Sequence, residues 1–302
     1  MILATGEILF DHFPGYSRAG GAPLNFSWHL KKLGCPVRFV TRVGDDPEGR
    51  ELMDLLAGGR FEIGDLQVDS GHPTGAVNVS VDEGGVPTFE ILAGAAFDYL
   101  EMNESVRPLL QSGSELVYFG TLIQRTDAGR DFMEQVFSLA GEGVRFLCDL
   151  NLRPDCYTPE TIQASLDRAD VVKLNEEELD VIADFPGETL SKEDPCRALM
   201  ERYDVEMVAL TKGEHGSEIY DGKGCYCVGP VKDLAVADTV GAGDAYASVL
   251  ALGYLNGWHP ERILAMASGF SAAICRIRGA LPESDGFYDP FRAMIKDGDN
   301  ER

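Results

Sequence analysis

Short apolar runs alternate with amphipathic stretches along almost the whole chain, and this alternation constrains the fold more than any other feature. Runs such as "VRFVTRVG", "ELVYFG" and "VEMVALT" are typical of β-strands, whereas "PLNFSWHLKKLG" and "DAGRDFMEQVFSLAGEG" have helical spacing. Strands that alternate with helices predict βαβ units, and near-continuous apolar strands predict a sheet covered on both faces. We therefore expect a doubly wound α/β fold with a mainly parallel sheet.

One segment interrupts the alternation. The stretch "TGAVNVSVDEGGVPTFEIL" reads as two strands of period two around Asp82-Glu83-Gly84-Gly85, which is a hairpin pattern. A hairpin without a helix of its own predicts a small β-sheet lid that closes over a ligand. We expect residues 11–20 and 74–96 to form this lid, and residues 1–10, 21–73 and 97–302 to form the main domain.

Composition narrows the possible functions. The 302 residues are 44% hydrophobic and carry a formal charge of −24. Because phosphate backbones are bound by clustered Lys and Arg, this charge argues against a nucleic-acid-binding role. No run approaches the ~20 apolar residues of a membrane helix, and "MILATGEILF" lacks a signal-peptide pattern, so we expect a cytoplasmic protein without membrane contact. The seven scattered cysteines predict neither a disulfide framework nor a zinc site.

The stretch "DTVGAGDAYASVL" combines an acid with small residues at the predicted start of a helix. Asp244 follows Gly241, Ala242 and Gly243, whose N–H groups would point outward where the positive end of the helix dipole makes an anion site. A carboxylate there would reach a hydroxyl next to a bound phosphate, which is an arrangement for phosphoryl transfer. The alternative is that Asp244 only caps the helix.

A second glycine-containing stretch, "RAGGAPLNFSWHLKKLG", lies near the N-terminus. Gly20 and Gly21 permit a close approach to the backbone, and Asn25 in the first helical turn offers a donor and an acceptor to a hydroxylated ligand. The alternative role for Asn25 is helix capping.

Together, "GGAPLN" and "DTVGAGDAY" resemble the paired signatures of the ribokinase and PfkB family of sugar kinases. The segments "VGDDPEGRELMDLL", "PTGAVNVSV", "DLNLRP", "KLNEEEL" and "ALTKGEHGSEIY" follow in that family's order. The resemblance implies a ribokinase-like sheet with a β lid, a sugar beneath the lid, and ATP with Mg²⁺ near the C-terminal half. It also implies that Asp244 is the catalytic base and that the amides of Gly241, Ala242 and Gly243 stabilise the migrating phosphoryl group.

The resemblance assigns roles to further residues. Asp11, Gly20, Gly21 and Asn25 match sugar-binding positions, and Phe97 either covers the sugar ring or packs in the core. Asn175 and Glu178 match an N-x-x-E motif that organises the water shell of Mg²⁺. The positions that match a nucleotide-binding turn are Thr211, Gly213 and Gly216, and those that match a potassium site are Asp238 and Thr239 with the backbone of residues 278–280.

Asp149, Asn151 and Arg153 alternate in "DLNLRP" at the end of an apolar strand, so Arg153 shares a face with Asp149. We expect it to face a transferred phosphate, or alternatively to pair with Asp149. If it lies beside the acceptor instead, a carboxylated sugar becomes the better candidate.

The N-terminal "GEILFDHFP" looks most like bacterial fructokinases, which favours fructose or a related sugar as the acceptor. A kinase for a nucleoside or a sugar acid, and a non-catalytic sugar-binding protein, are the alternatives. The expected partners are a sugar and ATP, and the exposed edge of the lid predicts a homodimer.

Overall fold

A nine-stranded sheet forms the centre of the protein, and the computed structural model describes residues 1–81, 87–185, 190, 193–232 and 234–299. The strand order is β13-β12-β11-β10-β9-β8-β1-β4-β5; the seven strands from β11 to β5 run parallel, and β12 and β13 run antiparallel to their neighbours. The strands of the described residues are β1 (Ile2–Thr5), β2 (Leu9–Phe13), β3 (Tyr16–Gly20), β4 (Val37–Gly44), β5 (Leu66–Asp69), β6 (Gly75–Val81), β7 (Pro87–Ile91), β8 (Leu116–Gly120), β9 (Arg145–Asp149), β10 (Val171–Asn175), β11 (Met207–Thr211), β12 (Ser217–Asp221) and β13 (Cys225–Val228).

Helices cover both faces of this sheet. One apolar cluster joins the sheet to α1, α8 and α9, and a second joins its other face to α4, α5 and α7. The helices of the described residues are α1 (Ala22–Leu33), α2 (Pro47–Gly58), α3 (Val106–Pro108), α4 (Asp127–Leu139), α5 (Pro159–Leu166), α6 (Glu176–Ala183), α7 (Pro195–Tyr203), α8 (Ala242–Leu255), α9 (Pro260–Ile274) and α10 (Asp289–Asp299). No helix in these described segments has the length and apolarity to cross a lipid bilayer.

Short polar residues and prolines fix where several helices begin. The side chains of Asp46, Thr126, Thr158 and Asp194 each accept a hydrogen bond from the backbone N–H three residues later. Such N-caps satisfy donors that a helix leaves unpaired, and a proline directly after the cap starts α2, α5 and α7 with a suitable φ.

The small sheet is separate and has four strands in the order β3-β2-β6-β7. β2 pairs antiparallel with β3 and parallel with β6, and its register places Asp11 opposite Arg18. The predicted hairpin turn at residues 82–85 lies outside the described residues. A large mainly parallel sheet with helices on both faces and a small separate sheet confirms the predicted fold class.

The order of the strands indicates where a ligand binds. From β1 the chain proceeds to β4 and β5 on one side, and it later returns to β8 and β9 on the other. In open α/β sheets, ligands bind at the carboxyl ends of the strands where the order reverses. That edge lies beyond Thr5 and Gly120, beside the ends of β9, β10 and β11.

Candidate active site

The start of α8 is tightly constrained around Asp244. Gly241 caps the helix with a φ of 77°, and a Cβ at this position would lie 2.3 Å from the Cβ of Ala280. Only glycine therefore fits this left-handed, closely packed turn. The Ala242 N–H donates to the carbonyl oxygen of Thr239 at 3.2 Å, so the turn itself uses one of the three predicted anion donors. Gly243 lies in the first helical turn, where N–H groups lack intrahelical partners.

Asp244 is held from the side of α1. The Asn25 Nδ2 donates to the Asp244 Oδ2 at 2.7 Å, although the two residues are 219 positions apart. Burial raises the pKa of Asp244, while the hydrogen bond from Asn25 and the charges of Lys173 and Arg153 lower it. The Asn25 Oδ1 is a buried acceptor that has no partner within the described structure. It is available to a hydroxyl donor beside Asp244.

The paired glycines make room for the protein's own atoms. A Cβ on Gly20 would lie 2.6 Å from the Asp11 Oδ2, and a Cβ on Gly21 would lie 2.7 Å from the Glu7 carbonyl oxygen. The space that these glycines leave is therefore occupied by the protein itself, because the small sheet and the β1–β2 connection pack closely against the start of α1. This packing brings Asp11 towards Asn25.

Arg153 lies close enough to Glu7, Asp11 and Asp244 for its charge to act on all three. Burial raises the pKa of Asp11 to about 6, and the positive charge of Arg153 opposes this shift. The same guanidinium also lowers the pKa of Asp244 and of Glu7. Asp149 pairs instead with Lys173, whose Nζ lies 2.9 Å from its Oδ1. The alternative in which Arg153 pairs with Asp149 is therefore not the arrangement observed.

Two site residues, Glu7 and Lys173, were missed by the sequence reasoning. Burial raises the pKa of Glu7 to about 7, although its carboxylate accepts from the Ala22 N–H and faces Arg153. Gly21 has no side chain with which to cap α1, and the helix start has no side-chain cap hydrogen bond from this residue. Lys173 is only 6% exposed within β10. An isolated acid in "ATGEILF" and an isolated base in "VVKLN" were the available signals.

Asn175 and Glu178 form a capping box at the start of α6. The Asn175 Oδ1 accepts from the Glu178 N–H at 2.9 Å, and the Glu178 Oε2 accepts from the Asn175 N–H at 2.8 Å. The Glu178 Oε1 also accepts from the Leu152 N–H, which ties the end of β9 to the end of β10. Burial raises the pKa of Asp149 to about 6; Lys173 lowers it, and Glu178 and Asp244 raise it further.

The carboxyl groups of Asp149, Glu178 and Asp244 interact with the Lys173 ammonium group, and the charge of Arg153 also acts on Asp244. The described residues contain no group of three or more His, Cys, Asp or Glu side chains placed to ligate a metal directly, so a magnesium ion here would be held through its water shell, which suits oxygen donors such as the Glu178 carboxylate.

A cleft of about 660 Å³ opens on the other side of Gly243, between the ends of β10 and β11 and helices α8 and α9. Its wall combines the predicted nucleotide positions with part of residues 241–243, which we call the anion turn. The predicted residues on its wall are Asn175, Thr211, Gly213, Gly216, Thr239, Ala242 and Gly243. Val231 and Val236, which are 38% and 57% exposed, give the same cleft an apolar wall. Lys212 pairs with Glu218 at 2.7 Å.

Phe97 lies in the core of the small sheet. Its side chain is 0% exposed and packs among Leu9, Val77 and Leu122. A Cβ on Gly75 would lie 2.7 Å from its ring. This position matches the core-packing alternative for Phe97 rather than a place on the sugar.

Asp238 is engaged by donors of the protein. Its Oδ1 accepts from the Val240 N–H at 3.1 Å, and its Oδ2 accepts from the Gly279 N–H at 2.9 Å. The Arg18 Nη1 lies 3.6 Å from the same Oδ2. The carboxylate predicted for a potassium site therefore already faces three positively polarised groups.

Comparison with known proteins finds similar sugar kinases. Among curated relatives, the chain is 29% identical to a fructokinase of Klebsiella pneumoniae over 90% of both chains. It is 30% identical to a fructokinase of Escherichia coli over 78% of this chain and 76% of that protein. It is also 28% identical to a 2-dehydro-3-deoxygluconokinase of Thermoproteus tenax, over 87% of this chain and 82% of that protein.

Solved structures have the same fold. A fructokinase with bound ATP from Xylella fastidiosa superposes with a TM-score of 0.82 at 22% identity, covering 97% of this chain and 98% of that chain. A putative ribokinase II of Escherichia coli in complex with ATP and Mg²⁺ superposes with a TM-score of 0.78 at 20% identity, covering 92% and 94%. The profile described as "pfkB family carbohydrate kinase" matches residues 16–285. With this match over most of its length, the chain belongs to the pfkB family of carbohydrate kinases.

Proposed function

We propose that this carbohydrate kinase transfers the γ-phosphoryl group of ATP to a sugar hydroxyl with Asp244 as the general base. The observation that carries the proposal is the place of Asp244 between Asn25 and the 660 Å³ cleft. On one side it accepts from Asn25, and on the other its neighbour Gly243 lines the nucleotide-sized cleft. A general base must lie within hydrogen-bond reach of the hydroxyl and face the phosphate, and a position between Asn25 and this cleft supports that role for Asp244.

The proposed chemical step forms one bond, breaks one bond and moves one proton. The sugar oxygen forms a bond to the γ-phosphorus while its proton passes to the Asp244 carboxylate. The bond from phosphorus to the β–γ bridging oxygen breaks, and its electron pair leaves with ADP. Because burial raises the pKa of Asp244, the carboxylate is a stronger base than an exposed aspartate. The first-turn N–H of Gly243 would donate to the transferred group.

On the acceptor side, the unpartnered Asn25 Oδ1 and the Asp11 carboxylate would bind sugar hydroxyls. Asp11 belongs to β2, so we further propose that residues 11–20 and 74–96 act as the lid, with residues 1–10, 21–73 and 97–302 as the main domain. Phe97 would support the lid from its core. The homodimer expected through the lid edge stays a prediction for a solution measurement of mass.

On the nucleotide side, Thr211, Gly213 and Gly216 would hold ATP, and Val231 and Val236 would cover the base. Magnesium would neutralise the nucleotide phosphates when bound. Glu178, Asp149 and Asn175 are the residues that would hold its water shell. A solved structure of the same fold, a putative ribokinase II of Escherichia coli, is a complex with ATP and Mg²⁺, which supports this half of the proposal.

The test is Asp244→Asn in an assay that couples ADP release to a spectroscopic signal. We expect turnover to fall by ~10²–10⁴ because a general base is lost, while ATP binding is retained. Asp127→Asn is the matched control, because it also removes an acid from the first turn of a helix. Turnover of the Asp244→Asn variant within about tenfold of the wild type would show that another group acts as the base.

For the acceptor we propose fructose first, as in the fructokinase relatives. Arg153 supports a sugar acid as the second candidate, because it acts on Asp11 and Asp244 at the acceptor side of the site. The assay should compare ketoses, aldoses, nucleosides and sugar acids. For a sugar-acid substrate, Arg153→Gln would raise KM about 10–100-fold through the lost charged hydrogen bond. With fructose, which carries no carboxylate, we expect no such rise.

A further inference from the structure

A strand of the small sheet reaches across to the segment that precedes the catalytic helix. Arg18 lies on β3 directly opposite Asp11 on β2, and side chains opposite each other share a face of the sheet. Its Nη1 lies 3.6 Å from the Asp238 Oδ2. A Cβ on Gly279 would lie 3.0 Å from the same nitrogen, so the guanidinium also packs against the Gly279 backbone.

Asp238 organises the segment that leads into α8. Through the Val240 and Gly279 N–H groups, its carboxylate joins residues 238–241 to the loop at residues 278–280. Gly241, three residues later, packs against Ala280 of that loop and caps the helix that begins with the anion turn. A positive charge beside the Asp238 carboxylate therefore acts on the segment that leads directly to Gly243 and Asp244.

The geometry does not fit a monovalent cation at this carboxylate. Of the roughly four lone-pair sites of the Asp238 carboxylate, two already accept backbone N–H groups, which leaves fewer for a potassium ion. It would also have to approach a side chain that faces the permanent charge of Arg18, and like charges at such short distances repel. The ion pair is only partly exposed, at 34% for Arg18 and 24% for Asp238, so water screens this repulsion incompletely.

We propose that Arg18 supplies from the protein itself the positive charge that a monovalent cation would supply at Asp238, so that phosphoryl transfer by this chain does not depend on potassium. Arg18 is a positioning residue, because it acts through the 238–241 segment and not on the reacting atoms. The proposal rests on the proposed function for its kinetic consequence. Its prediction about ion binding is independent of that function, because it concerns the carboxylate of Asp238 alone.

The test compares the wild type with Arg18→Gln in potassium and in tetramethylammonium at equal ionic strength. For the wild type we expect equal turnover and equal melting temperature in both salts. For Arg18→Gln we expect turnover in tetramethylammonium to fall about tenfold, which corresponds to the loss of a modest positioning interaction. Potassium should restore most of this loss and raise the melting temperature of the variant, because the uncovered carboxylate can now bind the ion.

Two further variants separate charge from packing. Arg18→Lys keeps the charge, so it should remain insensitive to potassium, unlike Arg18→Gln. Arg50→Gln, which breaks an exposed ion pair with Asp45, is the control for a general effect of salt and should behave as the wild type. Potassium activation of the wild type, or an Arg18→Gln variant that potassium neither rescues nor stabilises, would overturn the proposal. If no acceptor supports turnover, the melting temperatures alone decide: stabilisation of the wild type by potassium overturns the proposal, and stabilisation of only Arg18→Gln supports it.

Discussion

The buried ion pair of Lys173 and Asp149 gives the sharpest stability prediction. The Nζ–Oδ1 distance is 2.9 Å, and the side chains are 8% and 0% exposed. Lys173→Met keeps the side-chain length but leaves the Asp149 carboxylate without its partner. Removing one member of a buried pair costs about 3–5 kcal/mol, because the remaining charge is uncompensated.

The loss of stability in Lys173→Met should depend on pH, and the direction of this dependence follows from the pKa of Asp149. The pKa of Asp149 in the folded protein is raised to about 6 from 3.8, so ionisation of this group destabilises the fold as pH rises between these values. Without Lys173 the folded pKa rises further, and the destabilisation continues above pH 6 in the variant but stops in the wild type. The difference in free energy of unfolding should therefore grow by about 1.4 kcal/mol per pH unit above pH 6 until the carboxyl ionises in the variant.

Urea unfolding followed by circular dichroism at several pH values measures this difference. Lys173→Met combined with Asp149→Asn should recover much of the loss, since neither position of the pair then carries a charge. Lys212→Met is the matched control: Lys212 pairs with Glu218 at 2.7 Å, but both side chains are more than 20% exposed. Its effect should be small and nearly independent of pH. The reasoning would be refuted if the difference in free energy of unfolding between the wild type and Lys173→Met stayed constant from pH 6 to pH 9.

Two other predictions concern Asn25 and Phe97. In the wild type, the hydrogen bond from Asn25 lowers the pKa of Asp244, so Asn25→Ala should raise this pKa and move the acidic limb of the pH–rate profile to higher pH. An unmoved limb would mean that Asp244 is not the titrating base. Phe97→Ala should reduce the free energy of unfolding by about 3–5 kcal/mol, measured by urea titration, because a fully buried ring is lost. A selective rise in the KM for the sugar, without loss of stability, would instead indicate that the ring contacts the substrate.

Local patterns predicted the framework because they depend on neighbours in the sequence. The alternation of strands and helices gave the doubly wound sheet, and the period-two segment at residues 74–92 indicated the strands β6 and β7. The position of Asp244 at the start of a helix followed from the glycines before it. Each of these features is decided within about ten residues.

Contacts between distant segments could not be predicted. Asn25 meets Asp244 only because α1 packs beside α8, and Arg18 meets Asp238 only because the small sheet extends over that loop. The partner of Asp149 was likewise uncertain, since Arg153 is close in sequence and Lys173 lies on the neighbouring strand. In each case the sequence identified a charged or polar group, and the tertiary arrangement selected its partner.

Acidic side chains are concentrated around Asp244, and this concentration has a consequence for the ligand-free protein. Two cations, Lys173 and Arg153, influence a larger set of carboxyl groups, namely Glu7, Asp11, Asp149, Glu178 and Asp244. Any ligand that binds only the folded state stabilises that state by mass action, and a bound metal cation also reduces this surplus. The resting enzyme would then be its most thermolabile form, and the amount that survives in a starved cell would follow the supply of its own metal–nucleotide substrate.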